Sequence, residues 1–144
     1  MEKEKRTLKF SEIFGFGAGG MFTYGFQLMI TGYYLLYYMT DIAGFSTVLA
    51  ASLYSTIQII KMVTMLFSGV IIDAINFRSG KYRTWVLVSG IGLGLFFPLS
   101  FFYYPLPQSV YVVVFMIIYT LQTLFYNVGW TAMRAVIGKV AKNK

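Results

Sequence analysis

The sequence contains no histidine and no cysteine, and only five of its 144 residues are acidic. Without imidazole or thiolate groups the chain has no disulfide framework, no zinc or haem ligands of the usual kinds and no histidine-based acid/base catalysis. The five acids are Glu2, Glu4, Glu12, Asp41 and Asp73, and their spacing predicts no catalytic pair. These absences predict a chain that is not an enzyme and that binds no metal or other cofactor.

Charged residues are also scarce, at 12% of the chain, which is about half the share found in soluble domains. By contrast, 58% of the residues are hydrophobic and 19% are aromatic, and the mean hydropathy is +0.67. The net charge of +7 comes from basic residues that flank long apolar runs, so we expect no nucleic-acid partner. The composition predicts an integral membrane protein, with the lipid bilayer as its partner.

Four apolar segments are long enough to cross a bilayer core of about 30 Å, which needs about 20 helical residues. They are predicted at 14–40, 46–72, 84–104 and 110–137, with a charged loop at 73–83 and tails at 1–13 and 138–144. The predicted fold class is therefore an all-α membrane protein with four transmembrane helices. Tyrosines at the far ends of spans one and three are either interfacial anchors or core residues: Tyr37, Tyr38, Tyr103 and Tyr104.

Basic residues indicate the orientation, because lysine and arginine in short loops stay on the cytoplasmic side. Eleven of the twelve lie in the N-terminal tail, in the 73–83 loop or near the C-terminus, and the twelfth is Lys61. Both termini and the 73–83 loop are therefore predicted to be cytoplasmic.

Polar residues recur at helical spacing along three spans, which lipid-facing helices have no reason to show. The stripes are Gly20, Tyr24, Gln27, Thr31, Tyr34 and Tyr38; Tyr54, Gln58, Lys61, Met65 and Ser68; and Tyr119, Thr123, Tyr126, Trp130 and Arg134. They predict either a shared aqueous cavity or hydrogen bonds between helices of an inert bundle. The third span instead carries Gly90, Gly92, Gly94 and Pro98, which predict close packing and a bend.

Lys61 lies near the middle of the second span, too deep for its side chain to reach the headgroups. A lysine at the centre of a membrane helix costs roughly 2.5–3.5 kcal/mol, a cost usually offset by an aqueous cavity or a carboxylate. No acid occurs within a predicted span. We expect Lys61 to face a cavity and either to lose its proton or to pair with an acid outside this chain.

A set of short motifs occurs in order along the chain. The first span opens with Gly15-Phe16-Gly17 and ends with Tyr37-Tyr38-Met39-Thr40-Asp41, the 73–83 loop ends with Gly80-Lys81-Tyr82-Arg83, and the fourth span contains Asn127-Val128-Gly129-Trp130. Together they resemble the glycoside-pentoside-hexuronide:cation symporters, a family of the major facilitator superfamily typified by the melibiose permease. The resemblance covers residues 15 to 131, with Gly129 where the family usually has proline.

The resemblance implies twelve helices in two halves, with a small sugar bound between them near the midplane and exposed to each side in turn. This chain then supplies helices 1–4 of the N-terminal bundle in a plasma or inner membrane, and the missing C-terminal helices or a second chain would complete the cavity. It also implies a gating loop formed by Gly69, Asp73, Arg78, Gly80, Lys81 and Arg83.

The chain departs from the family at the cation site. Cation-coupled members carry two acids one turn apart in helix two, and the matching positions here are Lys61 and Met65. Neither side chain ligates a cation, so the resemblance implies a carrier whose Na+ or H+ coupling is altered or absent.

The polar faces and the family positions together predict a substrate-binding set. Its members are Tyr24, Gln27, Tyr34, Gln58, Tyr119, Gln122, Tyr126, Asn127 and Trp130. The predicted function is thus the N-terminal fragment of a secondary glycoside or oligosaccharide transporter. Two alternatives are an inactive truncated membrane scaffold and a small four-helix exporter that acts as a dimer.

Overall fold

The computed structural model describes residues 10, 14, 17, 18, 25–75, 77 and 80–142, with side chains as far as residue 136. Within these ranges the long helices are α1 over 25–42, α2 over Thr47–Ala74, α3 over Lys81–Ser100 and α4 over Gln108–Lys142. No strand occurs in this part of the chain.

Three of these helices are long and apolar enough to cross a membrane: Thr47–Ala74, Lys81–Ser100 and Gln108–Val136. The structure thus confirms, for the described part of the chain, an all-helical fold with helices of membrane-spanning length. The predicted span at 14–40 is described only in part, because most of residues 14–24 lie outside the described ranges, so the count of four spans stays a prediction. The third helix begins at Lys81 rather than 84 and ends at Ser100 rather than 104, since Phe101 leaves the helical conformation at φ −110°.

The turn between α1 and α2 is formed by two residues suited to helix ends. Gly44 has a φ of +70°, a left-handed conformation that favours glycine and lets the chain leave α1. Ser46 then caps α2, since its side-chain oxygen accepts a hydrogen bond from the Leu49 N–H at 3.3 Å.

Helix α1 is not a uniform α-helix. Residues 25–29 are α-helical, a π-helical turn follows over Ile30–Tyr34, and a second π turn over Tyr38–Ile42 comes after the α-helical Leu35–Tyr37. In the first π turn the Leu35 N–H bonds to the carbonyl of Ile30, five residues earlier. Such turns are rare and occur frequently at functional sites. Neither was predicted from the sequence.

Helix α4 lies at the centre of the bundle. It packs along both α2 and α3, whereas α2 and α3 contact each other little. The approach of α3 to α4 is closest at Gly92, where a Cβ atom would lie 2.4 Å from the Phe125 ring. Gly90 and Gly94 face open space, so the predicted close packing applies among these three glycines to Gly92 alone.

Two apolar clusters hold the helices together. The larger lies near the 43–46 turn, here called the turn end, and the smaller lies near the 75–80 loop, here called the loop end. The turn-end cluster contains Leu35, Tyr38, Met39, Phe45, Ala50, Leu53, Ile57, Tyr111, Phe115 and Tyr119. The loop-end cluster contains Ile72, Trp85, Val128 and Ala132.

Tyr38 is a core residue rather than an interfacial anchor. Its side chain is buried, and its hydroxyl lies 2.6 Å from the Tyr111 hydroxyl and donates to the carbonyl of Phe102 at 2.9 Å. One side chain of α1 therefore joins α4 and the end of α3. Tyr37 and Tyr103, by contrast, are exposed as interfacial residues would be.

Replacing Tyr111 by phenylalanine is expected to lower the free energy of unfolding by about 0.5–1.5 kcal/mol, because the Tyr38 hydroxyl loses one of its two partners. Thermal unfolding in detergent micelles measures the change. Tyr103→Phe is the matched control, since its exposed side chain forms no such hydrogen bond, and it should leave stability unchanged. Equal losses in the two variants would contradict the assignment.

Candidate functional site

A layer of polar side chains lies between the two apolar clusters, about halfway along the helices. We call it the polar layer, and its members are Gln27, Thr31, Lys61, Thr64, Tyr119, Gln122, Thr123 and Asn127. Tyr119 also belongs to the turn-end cluster, so the layer borders that cluster. Lys61 and Thr64 are half-buried and the other members are buried. A bilayer favours apolar groups at this depth, so a polar layer here needs internal hydrogen bonds or a polar ligand.

Helix α1 contributes Gln27 and Thr31 to this layer. The Thr31 hydroxyl donates a hydrogen bond to the backbone carbonyl of Gln27, one turn earlier. Across the helix interface, the Tyr119 hydroxyl approaches Thr31 but makes no hydrogen bond of good geometry to any described residue. A buried hydroxyl without a partner carries a free-energy cost, so this position is suited to a hydrogen-bonding ligand or water.

Asn127 joins α4 to α2. Its side-chain amide donates to the Thr64 hydroxyl at 2.7 Å and to the backbone carbonyl of Lys61 at 3.1 Å. The Asn127 carboxamide therefore bonds to α2 at Lys61, the charged residue of the polar layer. Thr64 was not predicted as a site residue, although its position three residues after Lys61 on the same helix face was a signal for it.

Lys61 continues the buried stripe of α2, one turn after Ile57 and two turns before Ser68. Its side chain is half-buried, and no described residue forms an ion pair with it. The expectation that Lys61 faces a cavity stays a prediction. The Asn127 amide of α4 bonds to the backbone carbonyl of Lys61, so this residue lies at the side of α2 that packs on α4.

Gln122 bonds to α3, whereas Asn127 bonds to α2. Its carboxamide oxygen accepts a hydrogen bond from Ser100 of α3 at 2.6 Å, while its side-chain nitrogen has no partner among the described residues. Nearer the loop end, the hydroxyls of Ser68 and Thr131 lie 2.8 Å apart and join α2 to α4. Of the stripe residues, Tyr38 and Ser68 thus form side-chain hydrogen bonds to another helix, and the choice between a cavity and an inert bundle stays open.

The other predicted substrate residues are half-buried or exposed. Gln58 and Tyr126 are half-buried on α2 and α4, and Tyr34 is 41% exposed with its ring 5.6 Å from the Phe101 ring. The half-buried Trp130 ring lies under the guanidinium of Arg134 at 4.3 Å, so one of its faces is already occupied. Tyr24 lies outside the described residues. The substrate-binding set as a whole stays a prediction.

The second residue at the cation-site position, Met65, is 53% exposed. It therefore lies further from the helix interface than Lys61, although the two are one turn apart. Among the described residues no group of acidic side chains is arranged to hold a metal ion. The Lys61 and Met65 pair offers no oxygen ligand for Na+.

The predicted gating loop contains an ion pair at its two helix ends. The Lys81 ammonium at the start of α3 lies 2.7 Å from the Asp73 carboxylate near the end of α2. Gly80 has a φ of +101°, which lets the chain turn into α3. The Phe77 ring packs edge-on against Trp85, with the ring centroids 5.4 Å apart.

The other predicted gating residues form no such contact or are not described. Gly69 faces open space, Arg83 is exposed, and Arg78 lies outside the described residues. Their gating role stays a prediction.

Comparison with known proteins identifies the family. Residues 15–144 match the model of the family described as MFS/sugar transport protein. YagG of Escherichia coli strain K12, named as a glycoside/cation symporter, is 29% identical over 126 residues, which cover 85% of this chain and 27% of YagG. The inner membrane symporter YicJ of the same strain is 26% identical over 72% of this chain and 23% of its own length.

A third relative from that strain, named as a glucuronide carrier protein homolog, is 28% identical over 65% of this chain and 20% of its own length. The chain thus spans about a quarter of the length of the curated relatives it matches. No solved structure matches it. Since the family match extends over almost the whole sequence and three helices have membrane-spanning length, the chain is a membrane protein that belongs to the MFS/sugar transport protein family.

Proposed function

We propose that this chain is the N-terminal part of a secondary transporter for glycosides or oligosaccharides that works by alternating access. The observation that carries the proposal is the polar layer at mid-depth, where Tyr119 and Gln122 each keep a buried polar atom without a partner among the described residues. Sugar hydroxyls both donate and accept hydrogen bonds, so they suit such groups. The family match supports the same substrate class.

Coupling to Na+ or H+ is proposed to be altered or absent. A cation bound beside Lys61 would meet a like charge in a medium of low dielectric constant, where repulsion is strong. The ammonium of Lys61 would instead supply a fixed positive charge at this position. The Asn127 amide, which bonds to the Lys61 carbonyl, would transmit substrate contact on α4 to α2.

The proposed orientation in the membrane follows from the positions of the basic residues. Both termini and the Asp73–Lys81 ion pair would lie in the cytoplasm, and the turn end would face outward across a plasma or inner membrane. Four helices of this arrangement would form one side of the sugar cavity. The missing C-terminal helices, or a second chain, would form the other side.

Sugar binding can be tested with the fluorescence of Trp130, since the chain has only one other tryptophan. In a Trp85→Phe variant reconstituted in lipid, Trp130 is the single reporter. Adding methyl glucoside, methyl galactoside or methyl glucuronide is expected to protect Trp130 from aqueous quenchers, because bound sugar would cover the polar face of α4. Saturable protection of Trp130 by at least one of these three sugars supports the proposal that the chain is part of a sugar transporter.

The Trp130→Phe variant, which keeps Trp85, is the matched control, because Trp85 is buried in the loop-end cluster. Its fluorescence should not respond to sugar. If Trp130 gives no protection with any of the three sugars, the polar layer of this chain is not a sugar site, the observation that carries the proposal is lost, and the scaffold interpretation is favoured.

A further inference from the structure

The buried and exposed residues of α1 do not alternate along the chain as they would in a continuous α-helix. Leu35 is fully buried in the turn-end cluster. Further along the helix toward the N-terminus, Gln27 is buried at 7% exposure, while the neighbouring Leu28 is 67% exposed. A polar residue thus points into the bundle and an apolar residue points out of it.

Helical geometry explains this inversion. Each residue of an α-helix turns the chain by about 100°, so residues seven apart lie on nearly the same face. In a continuous α-helix the residue that shares the face of Leu35 would be Leu28, and Gln27 would lie about 80° away from Leu35, on the face of Tyr38. The π turn over Ile30–Tyr34 contains one residue more per turn, and with it the residue on that face becomes Gln27, eight positions earlier.

We propose that the π turn over Ile30–Tyr34 is a positioning device that sets the register of α1 so that Gln27, instead of Leu28, enters the polar layer. Thr31, inside the turn, supports the arrangement because its hydroxyl donates to the carbonyl of Gln27. Thr31 also faces the unpaired hydroxyl of Tyr119. The turn therefore assembles the α1 side of the site.

The proposal rests on the proposed function only where it assigns Gln27 and Thr31 to sugar recognition. There, Gln27 and Thr31 are specificity-determining residues whose amide and hydroxyl groups select a polyhydroxylated ligand over an apolar one. The register itself is a property of the helix, and it can be tested without any sugar.

A single-residue deletion tests the register. A π turn holds one extra residue between α-helical segments, so removing Gly32 should convert the turn into α-helix. The segments before and after the turn should then keep the same faces toward the bundle as in the parent chain. Gly32 is suited to removal because its position faces open space. We expect the melting temperature of the deletion variant to stay within about 4 °C of that of the parent chain.

Deletion of Ile59 is the matched control. Ile59 is also exposed, but it lies in the uninterrupted α-helix α2. Its removal turns one half of α2 by about 100° relative to the other and moves the buried stripe away from α4. We expect loss of cooperative unfolding in this variant. Equal tolerance, or equal intolerance, of the two deletions would overturn the proposal.

A spin label measures the register directly, and the chain has no native cysteine to interfere. Labels at Leu28→Cys and Met29→Cys, two positions of 67% exposure, are compared in lipid bilayers. Both labels should be equally accessible to dissolved oxygen, and deletion of Gly32 should preserve that result. A label at position 28 that is shielded, with the label at 29 still accessible, would show a continuous α-helix and overturn the proposal.

The sugar assignment has its own readout. Gln27→Leu should abolish sugar protection of Trp130 while leaving the oxygen accessibility at position 28 unchanged. Retained protection in Gln27→Leu would overturn the assignment of Gln27. If the parent chain shows no protection while the label results hold, the proposed function fails and the register stands.

Discussion

Substituting leucine for Gly92 is expected to lower the free energy of unfolding by about 3 kcal/mol, at the upper end of the range for overpacking a closely packed contact. A Cβ atom at this position would lie 2.4 Å from the Phe125 ring, at the carbon that joins the ring to its own Cβ. The ring cannot move away easily, because it already stacks on Phe96 with centroids 5.6 Å apart. The larger side chain would therefore force α3 away from α4.

Gly94→Leu, two residues further along α3, is the matched control for this experiment. Nothing lies within 4 Å of a Cβ at Gly94, so the substitution should change stability by less than about 0.5 kcal/mol. Unfolding in micelles followed by circular dichroism measures both variants. Adding Phe125→Ala to Gly92→Leu should restore part of the loss. Equal destabilisation by the two leucines would show that α3 does not meet α4 at Gly92.

Replacing Lys61 by methionine is expected to raise stability, which is the opposite of the usual effect of a buried substitution. A lysine at the centre of a membrane helix costs roughly 2.5–3.5 kcal/mol, and no described residue forms an ion pair with Lys61. Methionine has a similar length and no charge. The increase in unfolding free energy should therefore reach about 2 kcal/mol, measured in bilayer-like nanodiscs.

The reciprocal variant, Met62→Lys, places a charge on the neighbouring side chain, which is 71% exposed on the outer surface of the bundle. It should lower stability by a similar amount, because that surface has no polar layer. If Lys61→Met instead destabilises the chain, then Lys61 has a favourable partner, and the inference that its charge is uncompensated in the polar layer is wrong. Under the proposed function Lys61→Met should also alter sugar protection of Trp130.

The helical class of the chain could be predicted because it depends on length and composition, which are local properties. Apolar runs at 46–72 and 110–137 correspond to α2 and α4 within a few residues at their ends. The π turns of α1 could not be predicted, because the segment around Ile30 is equally compatible with a continuous α-helix. The sequence does not show which residues of α1 meet the other helices, and the two registers differ in that respect.

The position of Lys61 and Asn127 well inside their helices could also be predicted, since both residues lie within long apolar runs. Which helix each side chain meets could not. Gln122 and Asn127 are five residues apart on α4, yet one bonds to Ser100 of α3 and the other to Thr64 of α2. That choice depends on the placement of α4 between the two helices, which no periodicity in a single sequence reveals.

The central place of α4 also has a consequence for biosynthesis. Among α2, α3 and α4, the central helix is the last to leave the ribosome, yet the other two pack mainly against it and little against each other. Until it arrives, the hydroxyls of Ser68 and Ser100 lack the partners they have on Thr131 and Gln122. A nascent chain stalled before residue 108 would therefore present α2 and α3 to the insertion machinery without the helix against which both of them mainly pack.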